Sequence, residues 1–187
     1  MPQRINLEHL RNDYIICSCE GASEETIMNI LIDNNKLIFS RENLVDNKLF
    51  RYRKASEIEE KLLRRGYGKS ISILRVSDSK NEKFKLSRLY EERVKVYTFL
   101  TRPEIEVLLL IGEGKDTKYF NSYKSSLKPS EYCKQIFHNR KYSIKSKEFI
   151  ENYFADPDFL VETIRIYNEK YRGRDPLNLF NLLHCAL

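Results

Sequence analysis

Two glutamates, Glu20 and Glu24, lie four residues apart in the segment Glu20-Gly21-Ala22-Ser23-Glu24. An apolar run at residues 14–19 precedes them and an apolar stripe of helical spacing follows, so the pair spans a strand-to-helix turn. Gly21 allows the backbone to turn sharply at this point. Two carboxylates in one crevice repel each other unless a cation bridges them, and Mg²⁺ prefers such hard oxygen ligands. The spacing therefore predicts a site for a divalent cation.

Two further acids follow predicted strands. Asp78 comes directly after the alternating segment at residues 70–76, and it reaches the same crevice if that strand neighbours the first. Glu106 lies beside the apolar stretch at residues 107–111, where a half-buried carboxylate needs a metal, an arginine or a backbone cap as partner. Both acids are candidate metal ligands together with Glu20 and Glu24.

Each of these acids also has an ordinary structural explanation. Glu24, near the start of a helix, is favourable through the helix dipole alone, and Ser23 suits the N-cap position. Asp78 suits a turn or a cap, and Glu106 is placed to satisfy free amides early in a helix. Because the acids of two predicted parallel strands fall at the same edge of the sheet, we favour a site.

The surrounding sequence alternates predicted strands with predicted helices. Strands are expected at residues 14–19, 36–40, 70–76 and 94–100, and helices at residues 24–32, 55–65, 82–92 and 103–110. This alternation predicts an α/β fold with a mostly parallel four-stranded sheet flanked by helices. Beyond residue 115 the pattern becomes helical, at residues 129–137, 146–154 and 157–170. We expect a single domain over residues 1–187, with a core at about 12–114 and a helical C-terminal portion at 115–187.

Composition narrows the class of protein. Of 187 residues, 41% are hydrophobic, which is enough for a core, and the net charge of +6 is compatible with nucleic acid as a partner without being diagnostic. No apolar run approaches the roughly 20 residues of a membrane span, and no apolar stretch of a secretory signal follows Met1. We therefore expect a cytoplasmic protein without a membrane partner.

The four cysteines do not suggest zinc. Cys17, Cys19, Cys133 and Cys185 form no CxxC motif, and the three histidines are scattered along the chain. Reduced thiols that pack as small hydrophobic groups are the expected state. No GxxxxGK[ST] motif occurs either, so an ATPase sensor, if one acts with this protein, must be another chain.

The segment YIICSCEGASEETIMNIL resembles the opening strand, Glu-Gly turn and helix of Toprim domains. Its ExxxE spacing is similar to that of the OLD-family and RloB-like proteins of bacterial phage defence. The segment VKVYTFLTRPEIEVLLLIGEG is similar to the region after the last core strand of RloB-like proteins, where a conserved glutamate lines up with Glu106. The segment KPSEYCKQIF fits the helical region that follows. The resemblance covers roughly residues 14–171.

The resemblance implies metal-dependent cleavage of phosphodiesters, with Mg²⁺ or Mn²⁺ as cofactor. Glu20 would match the Toprim glutamate as a metal ligand or general acid/base, and Glu24 the second glutamate of ExxxE. Asp78 would match the first aspartate of the DxD motif, but Lys80 stands where the second aspartate is expected. Lys80 would then bind a phosphate in place of a second metal, or Glu82 would supply the missing ligand, as would Asn81.

Cationic and aromatic residues complete the expected machinery. Lys80 or Arg75 could stabilise charge that develops on phosphate oxygens, and Lys141, Tyr142 and Lys145 could follow a nucleic-acid backbone and stack on bases. Taken alone, the last three residues are better explained as a solvated helix face.

Two hypotheses follow. The first is a Toprim nuclease that cleaves RNA or DNA as the toxin-like effector of a phage-defence system of the abortive-infection kind, acting with an ATPase sensor from another chain or as an oligomer. The second is a catalytically silent Toprim-like domain that binds a partner protein as a regulator or scaffold, because Lys80 departs from the DxD motif.

Overall fold

The chain folds around one parallel sheet. A computed structural model describes residues 5–79, 83–139, 142–171, 173 and 176–184. Its sheet contains β1 (Tyr14–Cys19), β2 (Ile71–Ser77) and β3 (Val94–Leu100), with β2 in the middle and all pairing parallel. Cys19 lies opposite Val76. The carboxyl ends of β1 and β2 therefore meet at one edge, as the sequence predicted.

Eight α-helices occur among the described residues. They are α1 (Ala22–Asp33), α2 (Ala55–Ile58), α3 (Arg88–Glu91), α4 (Val107–Gly112), α5 (Asp116–Ser122), α6 (Pro129–Ile136), α7 (Lys147–Tyr153) and α8 (Pro157–Lys170). A π-helical turn, Glu59–Leu63, continues α2, so together they occupy most of the helix predicted at residues 55–65. Short 3₁₀ turns occur at Glu8–Arg11, Arg41–Asn43, Val45–Asn47 and Leu179–Leu182.

β1 and β2 are buried on both faces, which explains their nearly continuous apolar sequences, whereas Lys95 and Val96 of the edge strand β3 are exposed. Ile15, Cys17 and Cys19 of β1 point into the larger apolar layer, where they pack with α1, α4 and the C-terminal helices. Ile16 of β1 and Ile73 of β2 point to the opposite face, which is covered by α2 and its π-helical turn. The resulting fold is α/β, with a three-stranded parallel sheet between two layers of helices.

The segment predicted as a second strand, residues 36–40, does not join this sheet. Leu37 forms a single antiparallel bridge with Leu183, supported by hydrogen bonds from the Ile38 amide to the Leu182 carbonyl (2.9 Å) and from the His184 amide to the Lys36 carbonyl (2.8 Å). Two of its backbone groups thus bond to the C-terminal segment instead of to a strand of the sheet. A mostly parallel four-stranded sheet was predicted, and the described residues form a parallel sheet of three strands.

Two predicted helices are much shorter in the structure. Of the stretch predicted at residues 82–92, the structure describes 83–92, and within that part only Arg88–Glu91 is helical, because Phe84 and Leu86 cover the second apolar layer. The helix expected to begin at Pro103 begins instead at Val107, after a loop that contains a cis Arg102–Pro103 peptide bond. This loop carries Glu106 at its end.

The C-terminal helices belong to the same core as the sheet. Helix α8 packs against α4, α7 packs against α1, and α6 packs against α4, so the larger apolar layer runs through all of them. Cys17, Cys19 and Cys133 are buried free thiols in this layer, as predicted, while Cys185 lies outside the described residues. In the part of the chain that the structure describes, no helix combines the length and apolarity needed to cross a membrane.

Candidate metal centre

Glu20 and Asp78 meet at the carboxyl edge of the sheet. Glu20 directly follows β1 and Asp78 directly follows β2, and the two strands are parallel neighbours. The Glu20 carboxylate accepts hydrogen bonds through Oε2 from the Ser77 hydroxyl (2.7 Å) and from the Asp78 amide (3.1 Å). Glu20 is thereby held across the ends of the two strands rather than directed into solvent.

Glu24 folds back over the turn that connects β1 to α1. A Cβ atom added to Gly21 would lie 2.9 Å from Glu24 Oε2, so a larger residue at position 21 would displace this carboxyl group. Glu24 is only 8% exposed. Among the described residues, the donor that reaches its side chain is its own backbone amide. A buried carboxyl group so weakly partnered is costly in its charged form.

Glu106 approaches the same place from the end of the β3–α4 loop. It is 4% exposed, and its Oε1 accepts a hydrogen bond from the Ser23 hydroxyl at 2.8 Å. Lys145 Nζ lies 3.6 Å from that same oxygen. The Ser23 hydroxyl thus serves Glu106 and not the N-cap of α1, where Gly21 stands instead. We refer to Glu20, Glu24, Asp78 and Glu106 as the acidic cluster.

The pKa values of the acidic cluster record mutual repulsion. Burial, followed by the charges of Glu106, Asp78 and Glu20, raises the pKa of Glu24 to about 7. The pKa of Asp78 is raised by burial and then by Glu20, with smaller contributions from Glu104 and Glu106.

Glu20 differs from these two acids. Burial acts to raise its pKa, but the hydrogen bonds from Ser77 and Asp78 and the charge of Arg53 outweigh it, so the pKa of Glu20 falls below its usual value. The cluster therefore contains one well-stabilised carboxylate beside two that resist ionisation.

The donor chemistry of the cluster fits a small divalent cation. Its ligands are carboxylate oxygens, and Mg²⁺ commonly takes one or two of these while keeping several waters. No group of three or more histidine, cysteine or acidic side chains is already arranged around one point within the described residues. The Asp78 amide donates to the Glu20 carboxylate, so Glu20 and Asp78 form a pair able to share such a cation, and the charges of Glu20, Asp78 and Glu106 all raise the pKa of the buried Glu24.

The structure does not describe every residue that was predicted for the site. Lys80, Asn81 and Glu82 fall outside the described residues, and so does Lys141, so their predicted roles stay predictions. Arg75 is 5% exposed within β2, and its guanidinium lies 4.4 Å from the centre of the Phe84 ring, which packs on the second apolar layer. Its predicted role in binding phosphate stays a prediction.

The structure adds residues that the sequence did not single out. Ser23 and Ser77 position two of the acids, and Arg53 lies beside Glu20, with its Nη1 3.8 Å from Glu20 Oε1 and its Nη2 donating to the Glu20 carbonyl at 3.0 Å. Ser77 could have been noticed, because it directly precedes Asp78 at a strand end. Nothing local marks Arg53, since 33 residues separate it from Glu20.

Comparison of the chain with models of protein families, with curated proteins and with solved structures found no match.

Proposed function

We propose that this protein is a metal-dependent nuclease of the Toprim type that hydrolyses phosphodiester bonds of RNA or DNA with Mg²⁺ or Mn²⁺. The observation that carries the proposal is the position of Glu24. Its carboxyl group is 8% exposed and lies against Gly21 at the turn between β1 and α1, and burial together with the charges of Glu106, Asp78 and Glu20 raises its pKa to about 7.

Repulsion of this kind has a simple chemical purpose. Side chains that only stabilise a fold avoid burying like charges together, whereas sites that bind cations or titrate near neutral pH concentrate them. A divalent cation converts the repulsion among the four acids into attraction. Glu20, Glu24 and Asp78 are the proposed protein ligands, with Glu106 as a further one.

A bound Mg²⁺ would polarise a scissile phosphate and lower the pKa of a coordinated water. The protein side chains have their own tasks. Ser77 and the Asp78 amide hold Glu20 in place. Ser23 holds Glu106, which places a second buried acid beside Glu24. This positioning leaves little reorganisation to occur when substrate arrives.

The Toprim assignment itself rests on the resemblance together with two features that support it. The Glu-Gly turn joins a parallel strand to a helix, and the aspartate of the incomplete DxD motif ends the neighbouring strand. A cytoplasmic, toxin-like effector of phage defence that responds to an ATPase sensor on another chain is the biological role that accords with this chemistry.

Cleavage assays with purified protein test the proposal. Transfer RNA, single-stranded RNA, single-stranded DNA and plasmid are incubated with the wild-type protein in Mg²⁺, in Mn²⁺ and in EDTA. We expect cleavage of at least one substrate that requires the metal and is lost in Glu24→Gln. Glu25→Gln is the matched control, because Glu25 is the next residue of α1 and pairs with Arg51 outside the cluster.

The silent, partner-binding alternative has one observation in its favour. Glu20 already accepts two hydrogen bonds through Oε2 and has Arg53 beside Oε1, so its oxygens are partnered without a metal. The same assay separates the two functions. Absence of metal-dependent cleavage of all four substrates by a folded protein would favour the scaffold and overturn the nuclease.

A further inference from the structure

Two cationic side chains that are far apart in the sequence lie beside the acidic cluster. Arg53, in the segment before α2, lies 3.8 Å from Glu20, and Lys145, in the segment before α7, lies 3.6 Å from Glu106. Their side chains are 58% and 48% exposed, whereas the Glu20 and Glu106 side chains are 19% and 4% exposed. Each cation therefore presents its head group to solvent while standing next to a mostly buried carboxylate.

These two contacts are longer than the tightest ion pairs of the fold, and the Lys147–Glu151 and Lys170–Asp116 pairs, both at 3.6 Å, are of similar length. Arg65 binds both oxygens of Asp46 at 2.9 and 3.1 Å, and Lys36 Nζ lies 2.7 Å from Asp158. The Arg53 and Lys145 head groups remain more than 3.5 Å from the carboxylate oxygens. The Arg53 and Lys145 head groups are close enough for electrostatic attraction to the cluster, and they have N–H donors left for another acceptor.

Charge balance indicates what that acceptor is. The four carboxylates of the cluster carry up to four negative charges, and one divalent cation neutralises two of them. A phosphodiester is itself an anion, so it would still be repelled by the remaining two charges. Arg53 and Lys145 supply two positive charges at the solvent side of the cluster, which removes this repulsion. Glu104, a fifth acid nearby, accepts a hydrogen bond from the Ser130 amide in the first turn of α6.

We infer that Arg53 and Lys145 are substrate-positioning residues that bind the non-bridging oxygens of the phosphodiester at the cluster. Arginine provides paired N–H donors that match two phosphate oxygens, and lysine acts as a point charge. A metal bound to the carboxylates would weaken the attraction of Glu20 and Glu106 for Arg53 and Lys145, and the two cations would then have the phosphate as their acceptor. This inference rests on the proposed nuclease function and extends it to the recognition of the substrate backbone.

Matched variants test the inference. Arg53→Gln and Lys145→Gln remove the charges while keeping polar side chains. Arg51→Gln and Lys147→Gln are the controls, because each lies two residues away and pairs with an acid outside the cluster, Glu25 and Glu151 respectively. Binding of short fluorescein-labelled 2′-O-methyl RNA and phosphorothioate DNA is followed by fluorescence anisotropy in Ca²⁺ over a range of salt. Thermal melts confirm that every variant is folded.

We expect each of Arg53→Gln and Lys145→Gln to weaken binding about tenfold and to reduce the salt dependence by about one phosphate contact. The two controls should change binding less than twofold. Calorimetric titration should give a Mg²⁺ affinity for both variants that is equal to or tighter than that of the wild type, because a competing cation has been removed.

Equal nucleic-acid binding by the two variants and their controls would overturn the inference. So would a tenfold loss of Mg²⁺ affinity in either variant, since the residue would then act on the metal site instead of on the phosphate. Cleavage by the wild-type protein is measured separately on unmodified substrates. Failure of the nuclease proposal is thus distinguished from failure of the assignment of Arg53 and Lys145.

Discussion

Replacing Glu24 with glutamine should make the protein more stable and less active at the same time. Glutamine has nearly the shape of a protonated glutamic acid, so Glu24→Gln keeps the packing over Gly21 while it removes the charge. At neutral and higher pH the wild-type protein must either hold this buried carboxylate ionised beside three other acids or keep a proton on it. The variant has neither requirement.

The size and sign of the effect follow from the pKa of Glu24. Its ordinary value is 4.5 and its value in the folded protein is about 7, so the folded state binds the proton more tightly than the unfolded state. The stability contributed by the proton is fully present below pH 4.5 and is lost as the pH rises to about 7. One pH unit corresponds to about 1.4 kcal/mol, so the wild-type protein should lose about 3 kcal/mol of unfolding free energy at this site by pH 8.

Urea denaturation in EDTA at pH 4.5, 6, 7 and 8 measures this difference. Glu24→Gln should match the wild type at pH 4.5 and exceed it by about 3 kcal/mol at pH 8. Saturating Mg²⁺ at pH 8 should stabilise the wild type by about 2.7 kcal/mol at one hundred times its dissociation constant, and should leave the variant unchanged. Glu25→Gln, whose partner Arg51 lies outside the cluster, should gain no stability at any pH.

A difference in unfolding free energy between Glu24→Gln and the wild type that stays constant from pH 4.5 to pH 8 would contradict the raised pKa of Glu24. Lower stability of Glu24→Gln at pH 8 would also refute it, because the carboxylate would then be a favourable partner in the fold. Equal gains in Glu24→Gln and Glu25→Gln would assign the effect to the charge of α1 as a whole instead of to the acidic cluster.

Three other substitutions separate the roles of neighbouring groups. Glu20→Ala should reduce the rate of metal-dependent cleavage by at least about 100-fold. It should also lower the unfolding free energy by about 2 kcal/mol in urea melts, because the Ser77 hydroxyl and the Asp78 amide lose their acceptor. Ser23→Ala removes the hydroxyl that donates to the buried Glu106, so urea melts should show a loss of about 2 kcal/mol. Thr101 Oγ1 is the buried side-chain oxygen that lacks a hydrogen-bond partner among the described residues. Thr101→Val should therefore raise the unfolding free energy by about 1 kcal/mol in the same urea melts, with no effect on cleavage. An unchanged or lower unfolding free energy would contradict this expectation.

The sequence predicts the carboxyl edge of the sheet well, because the patterns that mark the ends of β1 and β2 are local in the sequence. Strands buried on both faces have continuous apolar sequences, and parallel neighbours bring their carboxyl ends together, so Glu20 and Asp78 could be placed without any knowledge of distant contacts. The strand predicted at residues 36–40 shows the limit. Its apolar pattern is real, but its hydrogen bonds go to residues 182–184, and no local signal distinguishes that partner from a parallel strand.

The contacts of Ser23 and Lys145 with Glu106 could not be predicted, because these residues are far from Glu106 in the sequence. Ser23 was expected to cap α1, but it donates to Glu106, which is 83 residues away. Lys145 was predicted only as part of a nucleic-acid-binding surface, and its position beside Glu106 depends on how α6 and α7 pack on α4 and α1. Such contacts are decided by tertiary packing, which periodicity does not encode.

The metal site can be tested most directly by growing crystals in Mn²⁺ and calculating an anomalous difference map. We expect a peak at the carboxyl edge of the sheet, about 2.1 Å from carboxylate oxygens of at least two of Glu20, Glu24, Asp78 and Glu106. The same crystals of Glu24→Gln should show a weaker peak or none. A map of the wild-type protein in saturating Mn²⁺ with no peak at these four residues would contradict the proposed metal site.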